Sequence, residues 1–158
     1  MTIRLAQKSD LPKILELNEK ALPHVSKVQL TDMERFLDQA DPFLVIELDQ
    51  ELAGFMIVFQ AGLDYPSLNY AFFNNNYSDF DYVDRIVIAE PFRGQKLGTA
   101  LYDHLITNSN RTYVTCEVNT KPPNPDSMAF HLGLGFTQVA ELVTDKGKKS
   151  VAMLVKRL

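Results

Sequence analysis

The sequence is poor in cysteine, in long apolar runs and in positive charge, and each shortage argues against a class of protein. Its single cysteine, Cys116, allows no internal disulfide and suits a reducing compartment. No apolar run approaches membrane-spanning length, and residues 1–6 do not resemble a signal peptide, so we expect no membrane partner and a cytoplasmic location. The net charge of −4 argues against general nucleic-acid binding and is compatible with a cationic substrate.

Metal-ligand spacing is lacking too, since the three histidines are scattered along the chain, and we expect no metal. The remaining composition, 46% hydrophobic and 23% charged, is that of an ordinary soluble globular protein. No internal repeat, linker or low-complexity tract interrupts the 158 residues. We therefore predict a single domain over residues 1–158, long enough to bury a substantial core.

Hydrophobic periodicity predicts the order strand, two helices, three strands, helix, strand, helix and two strands. Helices are expected at about 11–21, 31–40, 97–108 and 126–134, and Thr31 with Glu34 forms a capping-box pattern for the second. This order fits an α/β fold with a mixed (α+β) sheet of about seven strands covered by four helices. Residues 60–81 interleave aromatic and acidic or amide side chains. A segment of this length is either a functional loop or a plug for a sheet edge.

A cationic, glycine-bearing turn joins the strand at 82–88 to the helix that begins at Leu97. It reads Arg93-Gly94-Gln95-Lys96-Leu97-Gly98. The first turn of a helix has free N–H groups and the positive end of the dipole, and glycine lets a ligand approach the backbone. The turn predicts an anion site, most plausibly for phosphate, and the alternative is an ordinary basic surface turn. Neither the dinucleotide fingerprint nor the Walker loop is present.

The stretch 86–98, IVIAEPFRGQKLG, resembles the acyl-CoA loop of the GNAT acetyltransferase superfamily, which follows the fourth strand and reads roughly R-G-x-G-[IL]-G. Lys96 stands where the middle glycine is commonest. The resemblance implies that the pantetheine arm of CoA pairs with Ile86, Val87 and Ile88. It also implies that the phosphates bind at Arg93, Gly94, Gln95, Lys96, Leu97, Gly98 and Thr99.

A second motif strengthens the resemblance, and the predicted element order is also that of the superfamily. GNAT proteins commonly show an Asn, a small residue three on, a Tyr seven on, and Gly-Phe at eleven and twelve. This chain has Asn124, Ser127, His131, Gly135 and Phe136 in that register. The first three are thereby implied to contact CoA. His131 replaces a tyrosine that in many members protonates the departing thiolate, so it is a candidate general acid; alternatively it lines the CoA channel or packs.

Two carboxylates are candidate bases for removing the proton of an acceptor amine. Asp84 shares a strand face with Tyr82, Ile86 and Ile88, in a largely apolar row. The alternative is a structural pair with an arginine such as Arg111. Glu117, at the polar end of the next strand, is the second candidate.

The function implied by the resemblance is acetyl-CoA-dependent N-acetylation, with acetyl-CoA as acyl donor and a primary amine of a small molecule, amino acid or peptide as acceptor. Tyr77, Asp79 and Tyr82 are predicted to attract the cationic amine. Two alternatives remain. One is a non-catalytic acyl-CoA-binding regulatory module of the same fold. The other, a nucleotide-binding α/β protein, leaves the second motif unexplained. A homodimer is left open.

Overall fold

The computed structural model describes all residues, 1–158, and contains seven strands and five helices. The strands are β1 Thr2–Leu5, β2 Phe43–Leu48, β3 Glu51–Gln60, β4 Phe80–Ile88, β5 Tyr113–Lys121, β6 Thr137–Thr144 and β7 Lys149–Arg157. The helices are α1 Leu11–Lys20, α2 Leu30–Gln39, α3 Leu68–Asn76, α4 Leu97–Asn108 and α5 Pro125–Gly133. The predicted mixed α/β sheet of seven strands is confirmed. None of the helices is both long and apolar enough to cross a membrane.

The predicted count of four helices is wrong, because the segment 60–81 contains the additional helix α3. Ser67 caps this helix, and its hydroxyl oxygen accepts a hydrogen bond from the Tyr70 amide. Only Tyr70 and Phe73 are buried along its length, so the sequence shows a short i, i+3 pair in place of an extended apolar stripe. That weak periodicity explains why the pattern predicted an irregular loop.

The predicted cap of the second helix is also wrong. Helix α2 begins at Leu30, so Thr31 already lies inside it, and the capping box is formed by Gln29 and Asp32. A carboxylate oxygen of Asp32 accepts from the Gln29 amide at 2.8 Å. Glutamine is an uncommon N-cap residue, and the commoner Thr31–Glu34 pattern lay two residues further along.

The chain divides into two compact units, and the first comprises Met1–Phe59 and Arg85–Ser109. Its strands follow the order β1-β2-β3-β4, and β2 is antiparallel to both β1 and β3. Inward side chains of the helices and strands form the core: Ile14, Leu17, Met33, Phe36, Val45, Phe55, Leu101 and Leu105.

The second unit comprises Gln60–Asp84 and Asn110–Leu158. Its strands follow the order β4-β5-β7-β6, with β4 parallel to β5 and β7 antiparallel to both β5 and β6. Four buried aromatic rings from α3 and β4 pack against one another: Tyr70, Phe73, Phe80 and Tyr82. The parallel pairing sets Tyr82 opposite Thr115, and this register brings the polar side chains of β4 and β5 together.

Candidate active site

The turn before α4 contains two residues with left-handed backbone conformations. Gly94 and Lys96 both adopt left-handed conformations, with φ of 78° and 61°. Lys96 is the N-cap residue of α4 and provides no side-chain hydrogen bond to the helix. The first-turn amides of α4 are therefore not capped by that side chain, and the side chains of residues 93–96 are exposed.

Arg93 ties this turn to the end of β4. Its Nε donates to the Ile88 carbonyl oxygen at 3.1 Å. The next residue of the chain, Ala89, donates its amide to the Ala53 carbonyl at 2.8 Å. Of the three residues predicted to pair with pantetheine, Ile88 thus already has its carbonyl oxygen engaged by the loop.

Glu117 is the centre of a polar cluster in the second unit. The Tyr82 hydroxyl lies 2.8 and 2.7 Å from its two carboxylate oxygens, and Asn69 Nδ2 donates to Oε1 at 3.2 Å. Burial, together with the negative charges of Glu117 and Asp84, raises the pKa of Tyr82 well above its ordinary value. Tyr82 therefore keeps its proton and serves as a hydrogen-bond donor to Glu117.

Asp84 belongs to the same electrostatic environment, since its charge also acts on Tyr82. One of its carboxylate oxygens accepts from the Tyr65 hydroxyl at 2.8 Å. Arg111, considered above as a partner for Asp84, contacts the carboxylates of Asp79 and Asp81 at 3.3 and 3.9 Å. The two predicted bases thus lie in one cluster, and each is bound by a tyrosine hydroxyl.

Asp79 and Tyr77 make contacts that hold the start of β5. Asp79 accepts from the Thr112 hydroxyl at 2.8 Å and from the Thr112 amide at 2.9 Å. These hydrogen bonds, with that of Arg111, lower the pKa of Asp79 below its ordinary value. The Tyr77 ring packs edge-on against Tyr113 at 5.0 Å between centroids. Their role in binding an amine stays a prediction.

The second sequence motif forms the first turns of α5. Asn124 is its N-cap residue, and its side-chain oxygen accepts from the Ser127 amide at 3.3 Å. Pro125 occupies the first turn, where a missing N–H costs nothing. Asn124 and Ser127 therefore shape the start of this helix, and their predicted contact with CoA stays a prediction.

His131 is buried on α5, with 3% of its surface exposed. Its Nδ1 lies 2.7 Å from the Ser127 carbonyl oxygen, and its ring packs edge-on against Phe136. Because a carbonyl oxygen only accepts, Nδ1 carries the hydrogen. Burial lowers the pKa of His131 below its ordinary value. At neutral pH the ring is thus uncharged, and its one N–H is engaged with the backbone, an arrangement that fits packing better than proton donation.

Three further residues with polar contacts were not predicted as site residues. Tyr65, just before α3, contacts Asp84 on β4, and Asn69, in the first turn of α3, contacts Glu117 on β5. The interleaved aromatic and polar composition of residues 60–81 was the only sequence signal for them. Arg85 is buried in the first unit, where its guanidinium donates to the Asn18 side chain and to Ser26, and stacks over Phe36. These contacts fix the connection between α1 and α2.

Residues 11–136 match the acetyltransferase (GNAT) family. No curated protein sequence gives a significant match to the chain. Three solved structures illustrate the likeness in fold. A ribosomal-protein-alanine N-acetyltransferase from Brucella melitensis shares 20% identity, with a TM-score of 0.74 and 100% of both chains covered. Ard1 from Thermoplasma volcanium shares 17%, with a TM-score of 0.78 and coverage of 99% and 97%. YncA from Salmonella typhimurium, solved with its cofactor acetyl-CoA, shares 18%, with a TM-score of 0.73 and coverage of 99% and 93%.

Proposed function

The chain belongs to the GNAT family of acetyltransferases, and from that premise we propose that it transfers an acetyl group from acetyl-CoA to a primary amine. The acceptor is a small molecule, an amino acid or a peptide. The activity is proposed for one domain over residues 1–158, in the cytoplasm and without a metal. The observation that carries the proposal is the start of α4, where a left-handed cationic turn precedes first-turn amides that Lys96 does not cap.

The pyrophosphate of CoA is proposed to bind at residues 93–99. A phosphate there would accept from first-turn amides, and the helix dipole would stabilise its charge. Arg93 and Lys96 add two exposed positive charges to the same turn. The bound acetyl-CoA supplies the thioester carbonyl that an amine attacks.

Glu117 and Asp84 are proposed to receive the amine. Acceptor amines are protonated at neutral pH, and two carboxylates in one cluster attract the ammonium form. One carboxylate must then accept its proton, because only the free amine carries the lone pair that attacks the thioester. Glu117 is the better supported of the two, since hydrogen bonds from β4 and α3 fix its orientation.

A second candidate function, an acyl-CoA-binding module without turnover, is favoured by one observation. The position that commonly holds a proton-donating tyrosine in this family holds the buried, uncharged His131. A module of this kind would bind CoA at the same turn and release no thiol.

Two measurements test the proposal. Near-saturating CoA is expected to raise the melting temperature, because a ligand that binds only the folded state stabilises it; unphosphorylated pantetheine should raise it much less, and ATP serves as the nucleotide control. Free thiol released from acetyl-CoA is then followed across a panel of primary amines. A thermal shift without thiol release would select the binding module, and no shift with millimolar CoA would overturn both candidates.

A further inference from the structure

The side chain of Asn69 joins α3 to the Glu117 carboxylate. Asn69 lies in the first turn of α3, and its Nδ2 donates to Glu117 Oε1 at 3.2 Å. The Tyr82 hydroxyl reaches the same carboxylate from β4. Glu117 is therefore held from two elements, and both contacts are made across large separations in sequence, 48 and 35 residues.

The other end of the Asn69 amide is unusual. Its Oδ1 is buried and has no hydrogen-bond partner. A buried acceptor without a partner costs free energy, and a leucine at position 69 would carry neither this acceptor nor the donor to Glu117. The same side chain thus has one end bonded to Glu117 and one end with an unused acceptor.

We propose that Asn69 is a positioning residue of Glu117, beside Tyr82, and that it serves both protonation states of the carboxyl group. This inference rests on the proposed function, in which Glu117 takes the proton of the acceptor amine. While Glu117 is a carboxylate, Asn69 Nδ2 donates to it. When Glu117 holds the proton, a half-turn of the amide about its χ2 bond brings Oδ1 to accept the new O–H.

The amide contains one donor end and one acceptor end on the same side chain. In each protonation state one end bonds to Glu117 and the other lies without a partner. The cost of the unpartnered end is thus similar before and after the proton moves. Asn69 can hold the carboxyl group in place without opposing proton uptake, whereas an arginine or lysine in its place would only donate and would favour the carboxylate.

The proton transfer balances simply. The ammonium R–NH₃⁺ and the Glu117 carboxylate give R–NH₂ and the neutral carboxylic acid. The new O–H is donated to Asn69 Oδ1, and the Tyr82 hydroxyl continues to donate to the carboxyl oxygen that carries no proton. The other charged group near this proton transfer is Asp84 of β4, which accepts a hydrogen bond from Tyr65. On β7 the residue opposite Glu117 is Met153, which carries no charge.

The direct test is an NMR titration of the full chain, which needs no turnover. The Asn69 side-chain ¹⁵NH₂ signals, identified by their loss in Asn69→Leu, are expected to move with the same midpoint as the Glu117 carboxyl ¹³C signal. In Glu117→Gln that movement should vanish. Asn69 signals that stay constant while the Glu117 carbon titrates would overturn the inference.

Kinetics supply the second test. Asn69→Leu should lower kcat by about 10-fold or more, because a base that is badly oriented loses part of its catalytic contribution. The KM for acetyl-CoA should stay unchanged. Asn69→Asp places a second carboxylate beside Glu117 and should move the acidic limb of the pH–rate profile up by about one pH unit. Asn108→Leu, a change of the same kind at the far end of α4, is the control and should leave both parameters unchanged.

Failure of this inference is distinguishable from failure of the proposed function. If Asn69→Leu turns over like the parent, or if the KM for acetyl-CoA rises as kcat falls, Asn69 is only a structural residue while acetyl transfer stands. If the parent itself releases no thiol with any amine, the proposed function fails, and the NMR titration alone then decides whether Asn69 follows the protonation of Glu117.

Discussion

The Tyr82 hydroxyl lies 2.8 Å from one carboxylate oxygen of Glu117 and 2.7 Å from the other. Tyr82 is fully buried, and its ring packs against Tyr70 and Phe73. The raised pKa of Tyr82 keeps its proton in place. Glu117 is thus oriented by a donor that is itself fixed by aromatic packing.

Tyr82→Phe tests this relationship, because it keeps the ring and removes the hydroxyl. We expect stability to fall by about 1.5–3 kcal/mol, the usual contribution of a hydrogen bond to a charged group. Turnover should fall by about 10-fold, with the acidic limb of the pH–rate profile moving to higher pH, since a carboxylate that loses a donor binds its proton more tightly. Denaturant unfolding and the pH–rate profile measure the two effects. Tyr113→Phe is the matched control; an unchanged profile in Tyr82→Phe would show that its hydroxyl serves the fold alone.

Replacements of Lys96 separate the charge of the turn from its backbone geometry. Lys96 holds φ at 61°, a conformation that costs about 1–2 kcal/mol for a residue with a Cβ and little for glycine. Lys96→Gly should therefore be more stable than Lys96→Ala by about 1 kcal/mol. Both lose the charge, so both should bind CoA more weakly than the parent and with a smaller dependence on salt. Titration calorimetry at two ionic strengths measures the CoA binding, and denaturant unfolding measures the stability. Equal stability of the two variants would show that the Lys96 backbone is not strained.

Asp79→Ala distinguishes an anchor of β5 from an amine-binding group. The Thr112 amide and hydroxyl lose their acceptor in this variant, so the melting temperature should fall while the thermal shift produced by CoA persists. Asp79→Asn retains one acceptor oxygen, so its melting temperature should lie between those of the parent and of Asp79→Ala. A variant that melts like the parent but raises the KM for the acceptor would assign Asp79 to amine binding, as the sequence predicts.

Burial of His131 predicts a pH dependence of stability. Its pKa is lowered in the folded state, so above about pH 6.5 both folded and unfolded chains carry a neutral ring and His131 adds no slope. As the pH falls below that value, the unfolded chain binds a proton that the folded chain does not, and stability is lost by up to about 1.4 kcal/mol per pH unit until the folded pKa is passed. His131→Phe should remove this component of the slope in urea unfolding between pH 5 and 8. Identical slopes in parent and variant would place the pH dependence elsewhere.

Features that depend on a short stretch of chain could be predicted from the sequence. The turn 93–98, the helix after it and the start of α5 were all predicted, because glycines, caps and apolar spacing act within a few residues. The predicted family and the predicted mixed sheet of seven strands are also confirmed. Both predictions were made from short motifs and from the order of elements, which local spacing indicates. The capping pattern nevertheless predicted the wrong start for α2, where the N-cap residue is Gln29 and not the commoner Thr31.

The partners of the candidate catalytic groups were decided only by tertiary structure. Glu117 and Asp84 could be named from strand alternation, but their contacts with Asn69 and Tyr65 depend on α3, whose weak amphipathicity hid it. The charge state of His131 likewise follows from its burial and from the carbonyl it meets. Sequence periodicity determines which face of a strand a side chain occupies, whereas strand register and helix docking determine what stands opposite it. Contacts across 35 to 67 residues, up to that of Arg85 with Asn18, therefore exist only in the folded chain.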